Sequence, residues 1–215
     1  MIDLIIKTLL AYLLGNLMGG QLIGRLRGGI DLRAVGSGNI GATNALRTQG
    51  KAFALGVLAI DMLKGVIAVL LIPRLLSIGT LMVAAQTQAY LCGIAVVLGH
   101  CYPALSGFRG GKGVATLAGV FAALLGAALS WMLAAFVLVV MLSGYVSLAT
   151  LAAAATAIVW VAVTQPHNLF MATGIFVMAM AALVVWKHRD NIVRLAHGNE
   201  HRFEKARVIG RWLQR

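Results

Sequence analysis

Long apolar blocks separated by short polar, glycine-rich stretches make up most of this 215-residue chain. The first three blocks predict helices at about residues 4–24, 53–72 and 79–99. Each is close in length to the ~20 residues that a helix needs to cross a bilayer. The fourth block, 114–186, contains no Asp, Glu, Lys or Arg at all. The pattern therefore predicts an all-α integral membrane protein.

The uncharged block 114–186 is too long for two spans, and it predicts four helices of about 17 residues. The expected breaks are at 129–131, 143–147 and 164–168, of which the last contains a proline among polar residues. Basic segments flank both ends of the block, so it crosses the membrane an even number of times. The prediction is seven spans, with the N-terminus outside and the C-terminus in the cytoplasm. Two long tilted helices with a re-entrant piece are the alternative.

Composition agrees with this class of protein. Hydrophobic residues make up 60% of the chain and charged residues only 11%, against about 25% charged in soluble domains. The length suits one bundle, so residues 1–215 are expected to form a single membrane domain. No small-residue cleavage site follows the first apolar block, which predicts a retained helix rather than a signal peptide.

The net charge of +12 is concentrated at 25–51, at Arg109 and Lys112, and at 187–215. Cytoplasmic loops of membrane proteins carry such an excess of Lys and Arg. Topology therefore explains the charge better than nucleic-acid binding does. The tail beyond residue 187, through Leu213, shows an amphipathic pattern typical of a segment on the membrane surface. The two cysteines, Cys92 and Cys101, have no metal-site spacing, and we interpret them as packing residues.

The first polar motif reads GSGNIGATN at 36–44 and is followed by Arg47. Glycines let the backbone approach a ligand closely, and successive amides in such turns form an anion-binding nest. A plain polar turn does not need this density of Gly, Asn, Ser and Thr. The motif predicts a site for a phosphorylated molecule.

The second motif reads GHCYP at 99–103 and FRGGKGVAT at 108–116. It resembles a P-loop, but Gly113 follows Lys112 directly, so the motif does not match the pattern required for ATP. A glycine-rich turn that opens a helix still favours a phosphate at the helix N-terminus. Lys112 adds a mobile positive charge.

The third motif begins at Lys187 and contains His188, Asn191, Arg194 and Glu200. His188 and Asn191 are three residues apart and share a face of a helix, and Glu200 is expected to pair with an arginine. Asp61 and Lys64 form a separate pair inside the second predicted span. Charges there are costly and face a partner or a site, so the pair either orients the bundle or supports the first loop.

Together, these motifs resemble the bacterial acyl-phosphate–glycerol-3-phosphate acyltransferases (PlsY type) over nearly the whole chain. The resemblance implies a seven-helix enzyme of the bacterial inner membrane, with its active site on the cytoplasmic side. It also implies transfer of a fatty acyl group from acyl phosphate to the 1-hydroxyl of glycerol 3-phosphate, which yields lysophosphatidic acid and inorganic phosphate. The implied partners are these two substrates and membrane lipid, with no cofactor, metal, nucleic acid or obligate protein partner.

The family's site residues map onto this sequence position by position. The implied catalytic residues are Ser37, Arg47, Lys112, His188 and Asn191. The implied substrate-binding residues are Gly38, Asn39, Thr43, Asn44, Gly110, Gly111, Gly113 and, less directly, Thr150. Asp61, Lys64 and Glu200 have implied structural roles. The three motifs are expected to converge on one edge of the membrane.

The residues favour direct attack on an activated acyl group. The chain has no Gly-x-Ser-x-Gly elbow, and no histidine is followed by Asp five places later. Ser37 is therefore expected to bind rather than to form an acyl-enzyme, and the proton acceptor stays open. Two other classes of protein also have an apolar helical bundle. One is a transporter of organic phosphates, which would place its site near the midplane between repeats, and the other is a structural subunit that binds anionic lipid.

Overall fold

The computed structural model describes residues 1–75 and 83–212, and its regular elements in that part of the chain are all helical. This confirms the predicted all-α class. The chain divides into two compact units, an N-terminal unit, Met1–Leu125, and a C-terminal unit, Gly126–Arg215. The prediction of a single domain stays a prediction.

The N-terminal unit contains six α-helices within the described residues. They are α1 (Ile2–Gly15), α2 (Gly19–Leu26), α3 (Ala42–Gln49), α4 (Lys51–Leu70), α5 (Ala85–Cys101) and α6 (Val114–Leu124). The described part of the C-terminal unit contains five. They are α7 (Gly126–Ser143), α8 (Val146–Thr164), α9 (Ala172–Lys187), α10 (Arg189–Ala196) and α11 (Val208–Trp212). Residues 79–82 of the predicted third helix, and Leu213 of the predicted tail, lie outside the described residues.

By length and composition, four helical segments of the described chain are suited to cross a membrane: Lys51–Arg74, Ala85–Ser106, Gly126–Ser143 and Val146–Thr164. The pair α1 and α2 would make a fifth span if it is counted as one bent element. The apolar helices α6 and α9 are shorter. Seven spans and their orientation stay a prediction.

The first predicted span, residues 4–24, is not one continuous helix. It is broken between α1 and α2, whose axes differ by 44°. The backbone groups freed by the break find partners on α4: Lys64 Nζ donates to the carbonyls of Gly15 (3.1 Å) and Leu17 (2.8 Å), and Asp61 Oδ1 accepts from the Gly19 amide (3.0 Å). A break in an apolar segment persists only where such partners satisfy the backbone.

The predicted break at 129–131 is wrong, whereas the two later breaks are confirmed. Ser130 lies inside α7, because its hydroxyl donates to the Gly126 carbonyl one turn earlier (3.3 Å) and so needs no exposed turn. The helix instead breaks at Leu125. The break between α7 and α8 uses Gly144, whose φ of +78° favours glycine, and the next begins before Pro166.

Close approaches at glycine hold the N-terminal unit together. A Cβ on Gly15 of α1 would collide with the Val96 carbonyl of α5, and one on Gly99 of α5 would collide with the Tyr12 carbonyl. Likewise, a Cβ on Gly119 of α6 would collide with α4. Small residues let membrane helices pack this closely. The packing fixes the end of α5 and the start of α6, between which the second motif lies.

A second buried ion pair lies near the start of α1. Lys7 Nζ is 3.1 Å from Asp3 Oδ2 and donates to the Pro73 carbonyl at 3.1 Å. Gln88 of α5 donates to the same Asp3 oxygen at 3.1 Å. The lysine is thus part of the packing of α1 against its neighbours.

The polar tail folds back onto the end of α7. The Phe203 amide donates to the Gly144 carbonyl (2.9 Å), and Arg202 Nε donates to the Ser143 carbonyl (2.8 Å). The Arg202 guanidinium also lies 5.1 Å from the centre of the Tyr145 ring. Cations suit the C-terminal end of a helix, where carbonyls lack partners. The tail is therefore a clamp on the α7–α8 turn.

Candidate active site

The first motif forms the loop between α2 and α3 and is organised by Asn44, which is buried. Asn44 Nδ2 donates to the carbonyls of Leu32 (3.0 Å), Val35 (3.0 Å) and Asn39 (2.9 Å). Its Oδ1 accepts from the Ser37 amide at 2.9 Å. The Asn44 side chain therefore shapes the loop from within, and its predicted contact with substrate stays a prediction.

Two glycines with left-handed φ angles bracket Ser37 in this loop. Gly36 has φ +59° and Gly38 has φ +70°, and a Cβ on Gly36 would collide with Asn44 Oδ1. The Gly38 amide donates to Val35 (3.1 Å), as the Ser37 amide does to Asn44. These two amides are thus engaged inside the loop in this conformation, and the expected nest cannot use them for an anion.

The exposed side of the motif presents Ser37 and Arg47. Thr43 is half-buried and lies one turn before Arg47 on α3, so the two share a face. The helix begins at Ala42, after Gly41, and its dipole favours an anion at that end. Side chains and this helix start are the anion-binding features that the first loop offers.

The second motif spans the end of α5, the loop 102–113 and the start of α6. Polar side chains of α1 and of Asn16, the residue that follows it, hold the loop. Tyr12 Oη donates to the Tyr102 carbonyl (2.7 Å) and accepts from the Ala104 amide (3.1 Å). Asn16 Oδ1 accepts from the Leu105 amide (3.1 Å). Sequence reasoning missed Tyr12 and Asn16, although an asparagine within an apolar block is an available signal.

The glycines of the second motif permit close contact with His100. The Gly111 amide donates to the His100 carbonyl (3.1 Å), and a Cβ on Gly111 would collide with His100 Nε2. Gly113, with φ +76°, precedes the first residue of α6, as the predicted helix-opening turn requires. Lys112 is half-buried between these two glycines.

A buried polar cluster lies beneath this loop and joins α4, α5 and α6. Lys64 Nζ is 2.9 Å from Asp61 Oδ1 and 2.7 Å from His100 Nδ1. Thr116 Oγ1 is 3.3 Å from the same ring nitrogen. All four side chains are buried. The arrangement is consistent with the structural role expected for Asp61 and Lys64.

In the C-terminal unit, the third motif begins at the junction of α9 and α10. The buried His188 has its Nδ1 2.8 Å from the Val184 carbonyl. A carbonyl only accepts, so Nδ1 carries a proton, and in the neutral ring Nε2 is the acceptor. Asn191 follows in the first turn of α10 and is also buried.

Glu200 connects this motif to α8. Its Oε1 accepts from Asn191 Nδ2 (2.7 Å) and Ser147 Oγ (3.0 Å), and its Oε2 accepts from Arg194 Nε (2.8 Å). Burial raises the pKa of Glu200, but the hydrogen bonds from Asn191, Arg194 and Ser147 outweigh it and hold the pKa below its ordinary value. The expected pairing with an arginine is confirmed, and Ser147 is a partner that sequence reasoning missed.

Thr150 lies one turn after Val146 on α8, and its hydroxyl donates back to the Val146 carbonyl at 2.9 Å. This local bond satisfies the hydroxyl proton while leaving oxygen lone pairs to accept. No group of three or more His, Cys, Asp and Glu side chains in residues 1–75 and 83–212 is arranged to hold a metal ion.

Comparison with known proteins gives a consistent result across nearly the whole chain. A family described as glycerol-3-phosphate acyltransferase matches residues 5–198. The glycerol-3-phosphate acyltransferase of Geobacter sulfurreducens is 40% identical over 204 residues, which cover 95% of this chain and 100% of the relative. That of Aquifex aeolicus is 40% identical over 198 residues, covering 91% and 97%.

Two solved structures also match. Both are of PlsY (YgiH), described as an integral membrane glycerol 3-phosphate acyltransferase. The glycerol 3-phosphate form has a TM-score of 0.82 and 35% identity, covering 96% of this chain and 98% of that one. The lysophosphatidic acid form has a TM-score of 0.81 and 34% identity, with the same coverage. By sequence and by fold, this chain belongs to the glycerol-3-phosphate acyltransferase family, whose activity is acyl transfer to glycerol 3-phosphate in phospholipid synthesis.

Proposed function

We propose that this chain transfers a fatty acyl group from an acyl phosphate to the 1-hydroxyl of glycerol 3-phosphate, and releases lysophosphatidic acid and inorganic phosphate. The observation that carries the proposal is the family match over residues 5–198, which spans all five predicted catalytic residues. The solved relatives named for a glycerol 3-phosphate form and a lysophosphatidic acid form correspond to one substrate and one product.

The proposed setting is the inner membrane of a bacterium, with seven crossings and the polar motifs at the cytoplasmic edge. The basic clusters that flank the apolar helices support this orientation. Cysteine labelling in intact cells tests it. Cysteines introduced at positions 126 and 166 should react with a membrane-impermeant reagent from outside, whereas one at position 190 should react only after permeabilisation. Labelling of position 190 from outside, with positions 126 and 166 reacting only after permeabilisation, would show that the topology is the reverse of the one proposed.

Ser37, Arg47 and Lys112 bind glycerol 3-phosphate together with His188 and Asn191 in this proposal. The cations Arg47 and Lys112 match a phosphate, with Arg47 able to form two parallel hydrogen bonds. The glycine-rich turns of the two loops, at Gly38, Gly110, Gly111 and Gly113, and the Thr43 side chain form the site for the phosphate of the acyl donor. Asn39 and Asn44 shape the first of these loops, Thr150 adds a hydroxyl, and the amides of Gly38 and Gly111 must exchange their present bonds to Val35 and His100 if they bind the phosphate directly. The sequence motifs support these assignments.

The reaction is direct attack. The 1-hydroxyl oxygen bonds to the acyl carbonyl carbon, the bond from that carbon to the phosphate oxygen breaks, and its electron pair leaves with the phosphate. Alignment of two reactants can supply about 7–11 kcal/mol of the barrier. Lys112 and nearby donors stabilise the developing negative charge. The hydroxyl proton passes to a donor phosphate oxygen or to His188 Nε2, whose acceptor character follows from the Nδ1 contact with Val184.

The test is an assay of purified protein in detergent with acyl phosphate and glycerol 3-phosphate. We expect release of inorganic phosphate, formation of lysophosphatidic acid and sequential kinetics. Parallel assays with acyl coenzyme A and acyl carrier protein as donors should give no product. An acyl group trapped on Ser37, or ping-pong kinetics, would contradict direct attack, and activity with a thioester alone would contradict the proposed donor.

A further inference from the structure

The buried lysine of α4 determines the chemistry of its neighbour on α5. Lys64 Nζ lies within hydrogen-bond distance of four polar atoms: Asp61 Oδ1 at 2.9 Å, Gly15 O at 3.1 Å, Leu17 O at 2.8 Å and His100 Nδ1 at 2.7 Å. An ammonium group has three donors and no acceptor. Four atoms therefore share three protons, and any of them that bonds to Lys64 does so as an acceptor. The contact with His100 Nδ1 is the shortest of the four.

This requirement selects one tautomer of His100. Because Nδ1 accepts from Lys64, the ring proton lies on Nε2. A proton on Nδ1 would place two donors 2.7 Å apart. Thr116 Oγ1 lies farther from the same nitrogen, at 3.3 Å, and the single lone pair of Nδ1 is taken by the shorter contact with Lys64. Asp61 Oδ1 is 3.4 Å from His100 Nδ1, but it accepts its hydrogen bonds from Lys64 Nζ and from the Gly19 amide.

The protonated edge of the ring is directed at the second loop. A Cβ built on Gly111 would collide with Nε2 of His100 and would lie 3.1 and 3.3 Å from the ring carbons Cδ2 and Cε1. The backbone carbonyl of His100 also accepts from the Gly111 amide at 3.1 Å. One histidine thus contacts Gly111 through both its ring and its backbone, directly beside Lys112.

We propose that His100 is a positioning residue for acyl transfer: a neutral imidazole, oriented by Lys64 and Asp61, whose Nε2–H edge sets the backbone at Gly111 and so places the Lys112 ammonium. The same Lys64 holds the break between α1 and α2 through Gly15 and Leu17. The cluster therefore ties the broken first helix to the loop that carries Lys112. As far as it concerns activity, this inference rests on the proposed function.

Three substitutions of His100 separate its two edges. His100→Gln can present an amide N–H near the position of Nε2, whereas His100→Asn presents its amide nearer Nδ1, and His100→Ala removes both. Since a displacement of 1 Å can cost about 100-fold, we expect His100→Ala and His100→Asn to lower kcat/KM about 100-fold. The loss should come with a larger rise in KM for glycerol 3-phosphate than for acyl phosphate, and His100→Gln should recover at least tenfold of it.

A matched control distinguishes positioning from general destabilisation. Gln88 is another buried polar residue of α5 and bonds to Asp3. Gln88→Leu should lower the unfolding temperature and leave both KM values within twofold of the parent. If His100→Ala changes only the unfolding temperature, in the manner of Gln88→Leu, the positioning role is wrong.

Gly111→Ala provides a second, independent test. The added methyl group meets the His100 ring, so the substitution should impair the parent but add no further loss in the His100→Ala background. Additive losses would show that Gly111 and His100 act independently.

¹⁵N spectra of histidine-labelled protein report the tautomer of His100 without any measurement of activity. The Nε2–H form is expected, and an Nδ1–H form or an imidazolium would overturn the inference even in an active enzyme. If the parent has no acyltransferase activity, the proposed function fails while the spectra still decide the contact.

Discussion

Two carboxylates organise the two units of this protein, and they do so in opposite surroundings. Asp61 is 1% exposed inside a predicted span, and its cationic partner Lys64 is 3% exposed. Glu200 belongs to a polar segment; its side chain is 6% exposed, but its partner Arg194 is 40% exposed. One ion pair is therefore wholly removed from solvent, and the other has a cation that solvent still reaches.

The difference in exposure predicts different consequences when each group is removed. Loss of one partner of a buried ion pair leaves a charge without compensation and costs about 3–5 kcal/mol. Exposed pairs are worth about 0–1 kcal/mol, so Glu200 owes its contribution chiefly to the three hydrogen bonds that its carboxylate accepts, one of them from Arg194 itself. Removal of one charge from the buried Asp61–Lys64 pair should therefore cost more stability than removal of the Glu200 charge.

The largest expected effect comes from Lys64→Met. It leaves the Asp61 carboxylate buried without its cation and deprives the Gly15 and Leu17 carbonyls of their donor. We expect a loss of about 3–5 kcal/mol, measured as a fall in the unfolding temperature and in the yield of monodisperse protein in detergent. The double variant Asp61→Leu with Lys64→Met should be more stable than Lys64→Met alone. Equal stability of Lys64→Met and the parent would remove the distinction between the two clusters.

The next effect concerns two residues of α3 that are one turn apart. Arg47 is exposed and Asn44 is buried with four hydrogen bonds. Arg47→Ala should lower kcat/KM about 100-fold or more, as loss of a donor to transition-state charge does, with a smaller change in unfolding temperature than Asn44→Ala. Asn44→Ala should lower stability by about 1–3 kcal/mol, because polar groups of the loop lose their partners. A purely kinetic effect of Asn44→Ala would assign that side chain to substrate instead.

Glu200→Gln tests how much the charge of Glu200 contributes to the stability of the protein. At neutral pH we expect a stability loss of about 1–3 kcal/mol from weaker hydrogen bonds to Asn191, Arg194 and Ser147. The folded pKa of Glu200 lies below its unfolded value, so the native carboxylate stabilises the protein above the unfolded pKa of about 4.3. That contribution is lost as pH falls through the folded pKa.

The unfolding temperatures of the parent and Glu200→Gln should therefore converge in acid. Glu204→Gln is the matched control, since the Glu204 side chain is 59% exposed and lies 3.5 Å from Arg202. It should show little difference from the parent at any pH. A constant gap between the parent and Glu200→Gln across the acid range would mean that the Glu200 charge does not contribute.

Sequence reasoning succeeded where the signal is local. The apolar blocks predicted helices, and Gly144 and Pro166 marked two breaks, because a left-handed turn and a missing amide proton are properties of single residues. The break between α1 and α2 was not predicted, since the groups that stabilise it lie on α4: Lys64 is 47 residues from Leu17. Such a break depends on a tertiary contact rather than on its own residues.

The same distinction explains the candidate site. The motifs identified the polar residues and suggested phosphate chemistry, but not which atoms are already engaged. Asn44 reads as one more polar side chain of the loop, and only coordinates show that it holds Ser37 and Asn39. Ser147, which binds Glu200, lies at the start of an apolar helix and carries no motif. Hydrogen bonds between distant segments leave no periodic trace in a sequence.

The smallest effect on stability is expected from substitutions in the tail, which belongs to the same unit as Glu200. Arg202→Ala removes a hydrogen bond to the Ser143 carbonyl and a contact with the Tyr145 ring, together worth about 1–2 kcal/mol. Lys205→Ala removes the same charge from an exposed side chain and should change stability by less than about 0.5 kcal/mol. Thermal unfolding and both KM values measured in parallel decide the tail's role. If stability falls and both KM values are unchanged, the tail only stabilises the α7–α8 turn. If the KM for glycerol 3-phosphate rises, the tail also affects the position of Asn191, through that turn and Ser147.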